Sequence, residues 1–170
     1  MYGRALDLCT GSGCVAVAFA RARPTWRVTA SDVSPDAAGL ARENALRHGV
    51  AFSMRVVEGD LFAPLEGERY ELVTANPPYV PSAEIAELAP DIRDFEPRVA
   101  LDGGSDGLGV VRAVVAGAAS HLEPGGILAI EVGHDQAARV SELFELASFR
   151  EIGVRRDYGG RDRVVSARLG

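Results

Sequence analysis

At 170 residues, with 47% apolar and 25% charged side chains, the chain is sized for one compact soluble core. Its formal charge of −6 argues against unspecific nucleic-acid binding through a basic surface and points to a protein or small-molecule partner. There is no apolar stretch long enough to span a bilayer, no basic-then-apolar leader and no repeat, so a single cytoplasmic domain is expected.

Arg4 to Leu8 reads as a short buried strand, followed by Gly11-Ser12-Gly13 and the apolar helical run Cys14 to Ala20. Gly11 and Gly13 permit positive backbone torsions and close approach of a ligand, and the first amides of the helix face that ligand. Taken alone, Gly11-x-Gly13-x-x-Ala16 is a weak dinucleotide fingerprint. Asp32 strengthens it, because it ends a second strand, Trp26 to Ser31, where an acid can accept hydrogen bonds from ribose hydroxyls. Ser34, with Pro35 at the first helical position, already caps the following helix, which leaves Asp32 for another role. Cys9 and Cys14 read as two small buried thiols, and His48, His121 and His134 are too scattered to suggest a metal site.

The second helix is expected from Pro35 to His48, with Leu40, Ala41, Asn44 and Ala45 on one face and Gly49 as its stop. Ser53 to Val57 reads as a third strand leading into Glu58-Gly59-Asp60-Leu61-Phe62, where Asp60 suits either an adenine amino group or a solvated turn. Glu71 to Ala75 is the fourth strand. It delivers Asn76 to the same rim as Gly11, Asp32 and Asp60. Val80 to Gly107 lacks clear periodicity and carries Glu84, Glu87, Asp91, Asp94 and Glu96 against Arg93 and Arg98; loops this long are usually functional or disordered. A helix from Leu108 to His121, a Pro124-Gly125-Gly126 turn, a strand Ile127 to Val132 and a helix Gln136 to Ala147 follow. Phe149 to Arg156 and Arg163 to Arg168 close the chain as strands whose short connection requires an antiparallel pair. Strands and helices alternate, which predicts an α/β fold with a mostly parallel sheet covered on both faces.

Asn76-Pro77-Pro78-Tyr79 is the most informative segment. Pro77 forces Asn76 out of the helical region, and the two prolines stiffen the turn and remove two backbone donors. A planar NH2 group could donate one hydrogen to the Asn76 side-chain oxygen and the other to the Pro77 carbonyl while lying against Tyr79.

Seven strands ending in an antiparallel hairpin, with candidate groups after the first four, resemble the class I methyltransferases, Rossmann-like enzymes that use S-adenosylmethionine. Asp7-Leu8-Cys9-Thr10-Gly11-Ser12-Gly13, Asn76-Pro77-Pro78-Tyr79, Glu96 to Gly104, Asp106-Gly107-Leu108 and Gly160 to Val165 together resemble the HemK/PrmC family. Those enzymes methylate the glutamine side-chain nitrogen in the Gly-Gly-Gln loop of peptide-chain release factors. The resemblance implies that Gly11 and Gly13 approach the methionine part of the cofactor, that Asp32 binds the ribose and that Asp60 with the Leu61 backbone holds the adenine. Asp7 and Asn76 also belong to the implied cofactor set. Asn76, Pro77 and Tyr79 are the implied catalytic residues, and together with Pro78 they form the substrate site. No metal is implied, a release factor is the implied protein substrate, and neither a membrane nor direct nucleic-acid binding is expected.

Two departures from the family pattern stand out. Cys9 takes a position where many members have glycine, and only Met1 to Gly3 precede the first strand. The family's N-terminal helical substrate-recognition domain is therefore expected to be absent, which predicts weak methylation of an intact release factor by this chain alone. A methyltransferase acting on base amino groups or on another protein, a nicotinamide-dependent oxidoreductase and a non-catalytic cofactor-binding subunit are the alternatives. The oxidoreductase leaves Asn76 to Tyr79 unexplained.

Overall fold

Seven strands form one sheet, and their order follows from how the chain crosses over. In the computed structural model, which describes residues 2–170 and leaves Met1 outside, the strands are β1 (Gly3–Leu8), β2 (Trp26–Asp32), β3 (Met54–Glu58), β4 (Tyr70–Ala75), β5 (Leu122–Glu131), β6 (Phe149–Arg156) and β7 (Asp162–Leu169). They lie side by side as β3-β2-β1-β4-β5-β7-β6. The first five run parallel, and β7 pairs antiparallel with both β5 and β6. The expected C-terminal hairpin is therefore present.

The helices are α1 (Cys14–Ala22), α2 (Pro35–Arg47), the one-turn α3 (Pro90–Arg93) and α4 (Arg98–Leu101), α5 (Gly109–His121) and α6 (Ala137–Leu146). From β1 to β3 the chain steps one way along the sheet, and from β4 to β5 it steps the other way. Right-handed crossovers then place α1 and α2 on one face and α5 on the opposite face. Two apolar clusters reflect this division. Ala16, Val17 and Ala20 of α1 pack with Val28, Ala30, Ala45 and Met54. A larger cluster joins Leu6, Leu8, Val73, Leu128 and Ile130 of the central strands to Val111, Val114 and Ala118 of α5 and to Val140 and Phe144 of α6. Central strands buried on both faces read as near-continuous apolar runs, which is why β1 and β4 were visible in the sequence.

Three local expectations shift. Leu40 is exposed, and α2 instead buries Ala38, Ala41 and Ala45. These small residues let the helix lie close to α1, where Gly13 meets it: a Cβ on Gly13 would lie 3.1 Å from that of Ala41. The Ser34 hydroxyl accepts from the Ala37 N–H (3.3 Å) with Pro35 at N1, as the sequence suggested. Pro124-Gly125-Gly126 lies within β5 and not before it. Tyr70 pairs with Leu122 and Leu72 with Ile127, so the extra residues bulge out of the ladder while the strand continues. Finally, Val80 to Gly107 is partly ordered into a 3-10 turn at Ile85–Glu87, α3 and α4.

Sheet register explains how separate loops come to share one rim. Ala75 of β4, Leu8 of β1, Ser31 of β2 and Val57 of β3 form a transverse row of paired residues. The next residue on each strand is Asn76, Cys9, Asp32 and Glu58. The direction of winding reverses between β1 and β4, and in such open sheets ligands bind in the crevice outside the carboxyl ends at that point.

Candidate functional site

A cavity of about 1060 Å³ opens at this crevice. Asp7, Cys9, Gly11, Asp32, Asp60 and Leu61 line one part of it, and Asn76, Pro77, Pro78 and Tyr79 line another. Leu88, Ile92 and the Pro97 to Asp102 segment form the outer wall. A smaller cleft of about 510 Å³ lies at the opposite ends of the strands, among Gly3, Trp26, Phe52 and Glu71, and contains none of the predicted site residues.

Asp32 is fixed by two backbone donors. The Gly11 N–H donates to Oδ2 (2.8 Å) and the Ser34 N–H donates to Oδ1 (2.9 Å). A carboxylate oxygen can accept more than one hydrogen bond, so both retain capacity for a polyhydroxylated ligand. The same bonds tie the loop after β1 to the loop after β2. Asp60 is exposed at the rim, and Leu61 is half-buried beside it with a positive φ of 45°.

At the floor of the cavity Asp7, which the family resemblance puts in the cofactor set, is held by two hydroxyls. Asp7 is 4% exposed; its Oδ2 accepts from the Thr10 hydroxyl (2.6 Å) and its Oδ1 from the Thr74 hydroxyl (2.7 Å). Burial pushes the Asp7 carboxyl up, against the opposing pull of those two hydrogen bonds. Thr10 belongs to the glycine loop and Thr74 lies two residues before Asn76, so Asp7 connects the two halves of the site. The hydroxyl three residues after Asp7 was a usable signal, whereas Thr74 could be matched to Asp7 only once β1 and β4 were known to be neighbours.

Gly13, expected beside the ligand with Gly11, does not line the cavity; it faces Ala41 and Met54 in the packing beneath α1. The expectation of two buried cysteines also needs correction. Cys9 is half-buried while Cys14 is exposed, because the first turn of α1 faces the cavity, where both thiols lie. Burial, followed by the charges of Asp32, Asp7 and Asp60, pushes the Cys9 thiol up to about 12. It stays protonated at neutral pH and adds no negative charge to this acidic floor.

Asn76 is exposed, Pro77 is buried, and Pro78 and Tyr79 are half-buried. Among the described residues the Asn76 amide has no hydrogen-bond partner. A stiff turn thus presents an uncommitted amide toward the space shared with Asp32 and Gly11.

The methyltransferase small domain model matches residues 1–91, the half that carries the glycine loop, Asp32, Asp60 and the Asn76 turn. A release factor glutamine methyltransferase of Geobacter sulfurreducens is 45% identical over 165 residues, which is 97% of this chain and 57% of that protein. A ribosomal protein uL3 glutamine methyltransferase of Xylella fastidiosa is 45% identical over 139 residues, covering 82% of this chain and 44% of the relative. The chain spans little more than half the length of the release-factor enzyme. Among solved structures, the ribosomal protein L11 methylase of Lactobacillus delbrueckii subsp. bulgaricus shares the fold with a TM-score of 0.70 at 20% identity, covering 100% of this chain and 72% of that one. With its glycine loop, Asp32 and the amide-bearing turn on one rim of a seven-stranded sheet, the chain belongs to the methyltransferase small domain family.

Proposed function

We propose that this chain uses S-adenosylmethionine to methylate the side-chain nitrogen of glutamine in a protein, with the Gly-Gly-Gln loop of a peptide-chain release factor as its substrate. One observation carries the reading: the Gly11 loop after β1, hydrogen-bonded to Asp32 at the end of β2, and the turn Asn76 to Tyr79 after β4 border the same cavity, with β1 and β4 adjacent and paired Leu8 to Ala75. The donor set fits the cofactor. In this reading Asp32 offers uncommitted lone pairs to the ribose hydroxyls, Asp60 and the Leu61 backbone on the cavity wall serve the adenine, and Gly11 leaves room, with no heavy atom within 4 Å of an added Cβ. When bound, the cofactor supplies an electrophilic methyl group on its sulfonium.

The amide substrate sets the remaining demand. A glutamine nitrogen is a poor nucleophile because its lone pair is delocalised into the carbonyl, and no side chain of ordinary basicity deprotonates it beforehand. Positioning has to lower the barrier. In this reading the Asn76 side-chain oxygen and the Pro77 carbonyl each accept one amide hydrogen, which aims the lone pair into the cavity and favours a pyramidal nitrogen. Tyr79 flanks the amide plane. The extra proton leaves to solvent after transfer, so no histidine or carboxylate pair is required.

The test is to incubate the chain and labelled S-adenosylmethionine with a release factor, with ribosomal protein uL3 and with a glutamine peptide, then to map the label by mass spectrometry. Label on the Gly-Gly-Gln glutamine is the expected result. Label confined to uL3 would move the substrate assignment, and label on no glutamine of the three substrates would overturn it.

A further inference from the structure

Gln136 takes no part in the site as described, yet it is 5% exposed and grips the segment on which that site depends. It stands at the N-cap of α6, after the turn that follows β5. Its Oε1 accepts from the Gly133 N–H (2.9 Å), and its Nε2 donates to the Tyr79 carbonyl (2.9 Å). This pairing fixes the amide orientation, since the reverse would set oxygen against oxygen and N–H against N–H. Gln136 is 57 residues from Tyr79 in sequence and does not line the cavity.

The peptide plane between Tyr79 and Val80 is held at both edges: Gln136 binds its carbonyl, and its N–H donates to the Leu101 carbonyl (2.9 Å). Gly107 closes the space behind. An added Cβ there would lie 2.4 Å from the Tyr79 oxygen and 2.7 Å from the Gln136 nitrogen, at a φ of +73° that already favours glycine. Gly103 lies equally close beneath the preceding residue, where a Cβ would come within 2.8 Å of the Pro78 carbonyl. Pro77 and Pro78 have their φ torsions locked by their rings. Few soft torsions therefore separate the anchored Tyr79 carbonyl from the acceptors at Asn76 and Pro77, and an anchor at one end restrains the other.

We propose that Gln136 is a positioning residue for methyl transfer, clamping the Tyr79 carbonyl from behind so that the Asn76 and Pro77 acceptors are held in place. The proposal rests on the amide-methylation reading above. It assigns a role to a side chain that contacts neither cofactor nor substrate.

Gln136→Glu is the discriminating variant, because it keeps the acceptor for Gly133 but replaces the donor facing Tyr79 with an oxygen. Gln136→Met removes both hydrogen bonds at similar length. In each, kcat on the glutamine substrate should fall by roughly ten- to a hundredfold, while the Kd for S-adenosylhomocysteine by calorimetry stays within about twofold. Amide relaxation should show Val80 becoming mobile on the microsecond-to-millisecond scale, with Leu6 and Val28 unchanged. Unaltered kcat and an equally rigid Val80 would overturn the proposal, as would unfolding of both variants, which would make Gln136 a general support. If the wild-type chain methylates no glutamine, the substrate reading fails, and the Val80 measurement still decides whether the clamp exists.

Discussion

Cys9 occupies the left-handed region, with φ at +53°, where a side chain is sterically disfavoured by about 1–2 kcal/mol. The HemK/PrmC resemblance, which places glycine there in many members, has its physical reason in that torsion. Together with the raised thiol, it leads to a reactivity prediction: at about pH 8 a polar maleimide should label Cys14 and spare Cys9, and Cys14→Ser should abolish labelling. Comparable labelling at both positions would contradict the assigned burial and charge around Cys9. Asp32 gives a second test. Asp32→Ala removes the acceptor assigned to the ribose and the anchor of two loop amides, and should weaken S-adenosylhomocysteine binding by about 1–3 kcal/mol. Unchanged affinity by calorimetry would remove Asp32 from the cofactor site. Asp32 could be singled out in the sequence from its place at the end of an expected strand, and Cys9 from its departure from the family pattern. The packing role of Gly13 could not, because it depends on where α2 comes to lie.

Asp106 ties the segment before α5 to two helices. It accepts from Arg112 of α5 and Arg139 of α6, and from the Leu108 N–H at the start of α5 (3.2 Å). The Arg112 guanidinium foremost, then the Leu108 amide, holds its carboxyl well below the usual carboxylate range. A carboxyl lowered on folding contributes stability that is present above its unfolded value, near pH 4, and is lost as the pH falls below it. Asp106→Asn should therefore lower Tm at neutral pH and flatten the decline of Tm between about pH 4 and pH 2. Parallel Tm curves for variant and wild type would rule out that linkage. At this scale, elements with a strong apolar period were legible: α6 buries Val140 and Phe144, four residues apart on one helix face. The stretch from Val80 to Gly107 was not, because short-range hydrogen bonds hold it in place of a repeating apolar face. Asp102 alone accepts from the Ser82 hydroxyl (2.6 Å) and the Gly104 N–H (3.0 Å). Residues 91–100 are all exposed, Phe95 at 84%, so no burial period was there to be read.

Across the whole molecule, the site is a consequence of strand order. β1 and β4 become neighbours at the point where the winding reverses, and that adjacency brings Gly11 and Asn76 to one cavity although 65 positions separate them in sequence. Alternation of strands and helices announced a parallel sheet, and the short final connection announced the hairpin, so the architecture was largely readable. Cross-strand links were not, because neither Asp7 with Thr74 nor Gln136 with Tyr79 leaves a local pattern. The proposed function assigns Asn76 to the reacting amide, although the family resemblance also counts it among the cofactor residues. Asn76→Ala tests it most directly, with S-adenosylmethionine affinity measured by calorimetry and single-turnover methyl transfer measured on the same preparation. Affinity should stay within about twofold while the transfer rate falls by two or more orders of magnitude, the signature of a group whose interaction is made only in the transition state. Wild-type transfer by Asn76→Ala, or loss of cofactor binding matching the loss of rate, would contradict the account.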